Sequence, residues 1–174
     1  MGWRVQDADL FLELAGIAGV FVGFGALIAV RSSGASPDEV GYMRGVVSFG
    51  LLTVVAALAP VTISRYAPAG HDVWALSSAL ALIGLAGLIV VMARTPEYRA
   101  NMAATWRSGG LKRIETVASV PLDVALAFVP IAILLGVAPD REAALYFSLV
   151  VLLLLGAGWV LLDIVFAQRR TPSA

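Results

Sequence analysis

Apolar residues run along this chain in long, nearly unbroken blocks separated by short polar intervals. Strands of an outer-membrane barrel would alternate apolar and polar positions with a period of two; these blocks do not alternate. Each is close to the ~20 residues a helix needs to cross a hydrocarbon layer ~30 Å thick, at ~1.5 Å per residue. The pattern predicts five such helices, at about 10–30, 41–64, 73–93, 117–137 and 143–167, in a single domain over 1–174. Glu13 interrupts the first, Asp123 the fourth, and Asp163 lies near the end of the fifth. The second is free of charge from Gly45 onward, and the third has no charged residue, which suits a peripheral, lipid-facing position. The expected fold class is therefore all-α, an integral membrane bundle of five transmembrane helices.

The polar intervals orient that bundle. An excess of Lys and Arg marks cytoplasmic loops. One face receives Arg4, Arg65 and Arg141; the other receives Arg31, Arg44, Arg94, Arg99, Arg107, Lys112, Arg113, Arg169 and Arg170. This asymmetry places the N-terminus outside and the C-terminus in the cytoplasm. Asp7 and Asp9 beside Arg4 argue against a cleaved signal peptide, whose leading region is positively charged. The first helix therefore reads as a permanent span. Between helices 3 and 4, Thr95-Pro96-Glu97 has the character of a helix start, and Gly109-Gly110 that of a stop. Tyr98, Met102 and Trp106 recur every four residues between them. Segment 96–108 is thus expected to be a short amphipathic helix at the headgroup level, a connector or a gating element. No internal repeat is visible.

Composition sharpens the class. The chain is 60% hydrophobic and 14% charged, with a mean hydropathy of +0.90, whereas soluble domains are about half apolar and a quarter charged. Soluble enzymes, nucleic-acid binders and disordered proteins are excluded on that ground. Twelve basic residues balance twelve acidic ones, and there is no cysteine, so neither a polyanion-binding field nor thiolate chemistry is available.

Charges inside membrane helices cost at least ~2.5–3.5 kcal/mol at mid-bilayer and are functional candidates for that reason. Arg44, Asp123 and Asp163 come from three helices and fall within a turn or two of the cytoplasmic boundary. Each continues a helical stripe: Arg44 with Ser48, Val55 and Thr62; Asp123 with Thr116, Ser119, Ala127 and Pro130; Asp163 with Gly156 and Trp159. The stripes are expected to converge, with Arg44 paired to Asp163, Asp123 or both. Such a cluster either locks helices 2, 4 and 5 together or lines an ion path.

On helix 1, Ala15, Gly16, Gly19, Gly23 and Ala26 share an arc of about 100°. The steps Ala15–Gly19–Gly23 let helices approach closely, either within the subunit or between subunits around an axis. In an assembly, Glu13 would form an outer ring of carboxylates; Arg65 and His71 are alternative partners for it. His71, the lone histidine, otherwise reads as a solvated loop residue beside Asp72, without companions for a metal. Pro60, Pro121 and Pro130 are tolerable in membrane helices where neighbours satisfy the freed carbonyls. Trp3, Trp74, Trp106 and Trp159 mostly fall near interfaces, as an aromatic belt requires. No intramembrane protease motif, phosphate loop, dinucleotide fingerprint or haem ligand set appears, so the expectation is a non-enzyme without cofactor or metal.

The run Glu13, Gly19, Val22-Gly23-Phe24, Pro37, Glu39, Arg44, Leu58 and Pro60 resembles a group of small uncharacterised bacterial multi-pass membrane proteins over the first two helices. The resemblance implies a bacterial inner-membrane setting and transfers no functional site. Two functions fit the residues: a homo-oligomeric channel or pore for small ions, or a non-catalytic scaffold or accessory subunit. The partners expected are the lipid bilayer, further copies of the chain and small ions, with no nucleic acid. An Asp163→Asn exchange separates the readings of the charged cluster. A purely structural pair predicts a lower unfolding temperature with unchanged ion selectivity in proteoliposomes.

Overall fold

A computed structural model describes the backbone of residues 8–31, 37–66, 70–96, 99 and 111–168, with side chains described except at 29–31, 37–43, 111–119 and 163–168. Five long helices follow one another: α1 (Ala8–Arg31), α2 (Pro37–Ile63), α3 (His71–Arg94), α4 (Leu111–Leu134) and α5 (Glu142–Gln168). A 3-10 turn, Pro139–Arg141, leads into α5, and there is no strand among the described residues. The fold is all-α, as the apolar runs require. Four of the helices contain stretches long and apolar enough to cross a membrane: Ala8–Ile28, Arg44–Ile63, His71–Arg94 and Pro139–Leu162. In α4 the described apolar stretch is shorter, Val120–Leu134. The amphipathic segment 96–108 lies outside the described residues except at Pro96 and Arg99. At its entrance Thr95 ends α3, and its hydroxyl donates back to the Met92 carbonyl at 2.7 Å.

Helices α2 and α5 form the centre. Helix α1 lies chiefly against α2, and α4 packs mainly on α3 and α5. The seams are lined by small residues, with Ala18, Ala56, Ala57, Ala81, Ala132 and Ala157 buried beside Leu126, Ile133, Leu149, Val150 and Leu153. Small side chains bring backbones close, which matters where lipid tails are as apolar as leucine and packing itself must hold the helices. The outer surface is apolar too: Val20, Leu27, Ile83, Phe128 and Leu135 are all more than 60% exposed. A water-facing surface of that kind would be an association or aggregation hazard; toward lipid it is ordinary. Helix α3 exposes Leu76, Leu80, Ile83, Ile89, Val90 and Val91 and buries Val73, Ser77, Ser78 and Ala81.

Within the subunit α1 packs along Phe11, Ala18 and Gly25, a stripe with a seven-residue step, all buried. A Cβ on Gly25 would sit 3.2 Å from Val46 and Val47, and one on Gly50 would sit 2.7 Å from Val22 Cγ2 and 3.4 Å from the Ala18 carbonyl oxygen. These two glycines make the α1–α2 crossing. Gly16, Gly19 and Gly23 lie on the other side: each is exposed, and an added Cβ meets nothing within 4 Å. Ala15, half-buried against the core, marks the border. The glycines of these small-residue steps therefore do not pack within the subunit.

Glycine substitutions should divide accordingly. Gly50→Val forces Val22 and the α1 backbone apart and should cost about 1–3 kcal/mol, as overpacking does. Gly19→Ala should leave subunit stability unchanged. Thermal unfolding of both purified variants in detergent checks this.

Candidate functional site

Two connections at one end of the bundle set the site. Gly136 has φ 62°; its N–H donates to the Ile133 carbonyl and that of Val137 to the Ala132 carbonyl, at 3.0 and 3.1 Å. This double bond pattern ends α4 in a left-handed residue, a conformation glycine adopts without a Cβ penalty. The chain then turns through Pro139–Arg141 and re-enters with Glu142 as the first residue of α5. Gly70, with φ 98°, is the N-cap that precedes His71, the first residue of α3.

Glu142 is buried, with only 3% of its side chain exposed, and His71 is about half exposed at 47%. Nδ1 of His71 lies 2.6 Å from Oε1 of Glu142. Glu142 stands at a helix N-terminus, where backbone N–H groups carry partial positive charge. The imidazole supplies the partner that a buried carboxylate requires.

One turn deeper on the same face of α5, Tyr146 is fully buried. Its hydroxyl donates to the Ala56 carbonyl at 2.8 Å, with the Ser77 carbonyl at 3.4 Å. Ala56 is the residue four before Pro60, which lies inside α2 and has no N–H to offer it. Tyr146 fills the acceptor that Pro60 leaves open. The nearby hydroxyls of Thr53 and Ser77 bond back to the carbonyls of Phe49 and Val73, at 2.8 and 2.7 Å. Such internal bonds satisfy a buried hydroxyl without a neighbour. Ser78 Oγ is buried with no hydrogen-bond partner. Around the tyrosine, Phe11, Trp74 and Phe147 close the end of the bundle. Phe11 meets Phe147 edge-on at 5.8 Å, and Trp74 meets Tyr146 at 5.7 Å between ring centroids.

The charged residues singled out in the sequence lie elsewhere. Glu13 and Arg44 are exposed on α1 and α2. Asp123 is exposed on α4, where it is not without a partner. Among the described residues no ion pair joins Arg44 to Asp123, because α4 packs chiefly against α3 and α5. The side chain of Asp163 lies outside the described residues. His71 is not a solvated loop residue and does not meet Glu13; its partner is 71 positions away in the sequence. Sequence reasoning missed Glu142 and Tyr146. Two signals point to them: the Gly136–Pro139 turn, and the carbonyl that a proline within α2 must orphan.

The arrangement ties α3 to α5 and offers water one face of an imidazole whose other face holds a buried acid. Among the described residues no group of three His, Asp or Glu side chains could hold a metal ion. Compared with protein-family models, curated proteins and solved structures, the chain matches none.

Tyr146→Phe strands the Ala56 carbonyl in the core and should cost about 1–3 kcal/mol. Pro60→Ala restores the helix N–H, so the tyrosine should matter less in that background, by roughly 0.5–3 kcal/mol of coupling. A double-mutant cycle on unfolding in detergent measures that coupling; additive effects would disprove the assignment.

Proposed function

We propose that this chain is a multi-pass protein of the bacterial plasma membrane whose copies associate through α1 and conduct small ions along the shared axis. All five helices span in this reading, with the N-terminus outside. Helix α4, at 24 residues, is about 36 Å long at 1.5 Å per residue. The Lys and Arg excess on the opposite side keeps the C-terminus in the cytoplasm.

The observation that carries the reading is the outward face of α1. Glu13 is exposed there at helical spacing from Gly16 and Val20, beside the open Gly19 and Gly23. A carboxylate facing hydrocarbon is costly, and bare glycine backbone gains little from lipid. A neighbouring α1 relieves both, since the glycines admit a close helix and the carboxylates gather around a wet axis that attracts cations. The subunit's own core, filled by Tyr146, Leu126, Ile133 and alanines, leaves conduction to the axis between copies. Arg44, exposed on the helix that packs along α1, then belongs to the cytoplasmic end of the path.

The second reading is a scaffold or accessory subunit without transport. It is favoured by the buried hydroxyls of Thr53 and Ser77, each spent on its own helix.

The chain has no cysteine, so Gly19→Cys is a clean reporter. Oxidation in membranes should give covalent dimers, and native mass spectrometry in nanodiscs should give a defined oligomer. Proteoliposomes should pass cations, with the cation preference reduced in Glu13→Gln. A stable monomer ends the pore reading. A well-folded oligomer with no flux at any voltage or pH leaves the scaffold.

A further inference from the structure

We infer that His71 and Glu142 form a proton-operated latch, holding the first turns of α3 and α5 together at neutral pH and releasing them in acid. The inference rests on the placement of the pair and is independent of ion conduction.

Three features make a latch of this contact. First, it joins the first residues of two helices, His71 after Gly70 and Glu142 after the Pro139–Arg141 turn, and it is the ion pair between these helices among the described residues. Second, its two members differ in access to water. Glu142 is buried and His71 is half exposed, so protons reach the pair through the imidazole without the bundle opening. Third, the aromatic group lies directly beneath: Trp74 is one turn below His71, Tyr146 is one turn below Glu142, and their rings are 5.7 Å apart.

The sign follows from the chemistry of the two groups. While Glu142 is ionised, its oxygen accepts a hydrogen bond from Nδ1, whether the imidazole is neutral or charged. Protonation of the carboxyl removes the charge that holds the imidazole. The imidazole, by then a cation, is better solvated outward than against a neutral acid. The latch is therefore closed above the range in which carboxyl groups take up protons, and it opens as pH falls through it. Other ionisable groups at this end are Asp72 on α3, Asp140 and Arg141 in the 3-10 turn, Arg65 after α2, and Asp9 and Glu13 on α1. All of these are exposed. Tyr146 is engaged with the Ala56 carbonyl.

The test uses the full-length chain in nanodiscs with Trp3, Trp106 and Trp159 changed to Phe, so that Trp74 alone reports. Acrylamide quenching of its emission is followed from about pH 8 to about pH 3, which brackets ordinary imidazole and carboxyl titration. The expected result is a reversible rise in quenching in acid, lost in Glu142→Gln. His71→Gln, which leaves no imidazole to release, should abolish the transition as well. Circular dichroism and gel filtration confirm folding of each variant. A flat profile in the parent overturns the latch, as does a transition unchanged in Glu142→Gln. Should Glu142→Gln fail to fold, an unchanged transition in His71→Gln overturns it equally. No ion current enters the readout, so the latch and the pore stand or fall separately.

Discussion

A helix with a proline in its interior has a carbonyl with nothing to accept from, and in an apolar core that carbonyl must find a donor or the helix cannot stay there. In this protein the donor is the Tyr146 hydroxyl, reaching from α5 to the Ala56 carbonyl of α2. The contact fixes more than one bond. It sets the rotation of α5 about its own axis, which in turn places Glu142 one turn above on the same face. It also seats the tyrosine ring where Phe11 of α1 and Trp74 of α3 can meet it. Four helices are thus registered by one side chain whose polarity is needed at a single point.

Away from that point the bundle is held by proximity. Gly25, Gly45, Gly50 and Gly84 each stand where a Cβ would press on a neighbouring helix, and alanines fill most of the remaining seam. Dispersion between closely apposed backbones substitutes for the solvent-driven burial that stabilises soluble cores. The polar cluster at the end of the bundle contributes differently: it is directional, and its hydrogen bonds distinguish the observed helix arrangement from others of similar packing.

The helices themselves were readable in the chain, because a long apolar run has few alternatives once strand alternation is absent. Their limits shift by only a few residues, as at Pro37, where α2 starts earlier than its apolar stretch. The faces were harder. Helix α1 is apolar all round, so periodicity says which residues share a side and not which side meets a neighbour. Gly16, Gly19 and Gly23 share a side that looks made for packing, yet within the subunit it is Phe11, Ala18 and Gly25 that pack. Contacts between distant segments left no local trace: nothing near His71 announces Glu142. The proline was the exception, since its missing N–H demands a donor from somewhere, and a buried tyrosine was available to supply it.

The Gly136 turn has a bearing on how such a chain is made. Because α4 and α5 are joined by so few residues, they form an antiparallel hairpin whose two arms emerge from the ribosome almost together. Helix α4, with two internal prolines and the shorter described apolar stretch, is the weaker candidate for entering a bilayer alone. Helix α5 carries the uninterrupted run Leu149–Leu155 and is the stronger. Tethered this tightly, the two arms would partition into lipid as one hairpin, so in the five-span reading the apolar run of α5 would supply what α4 lacks.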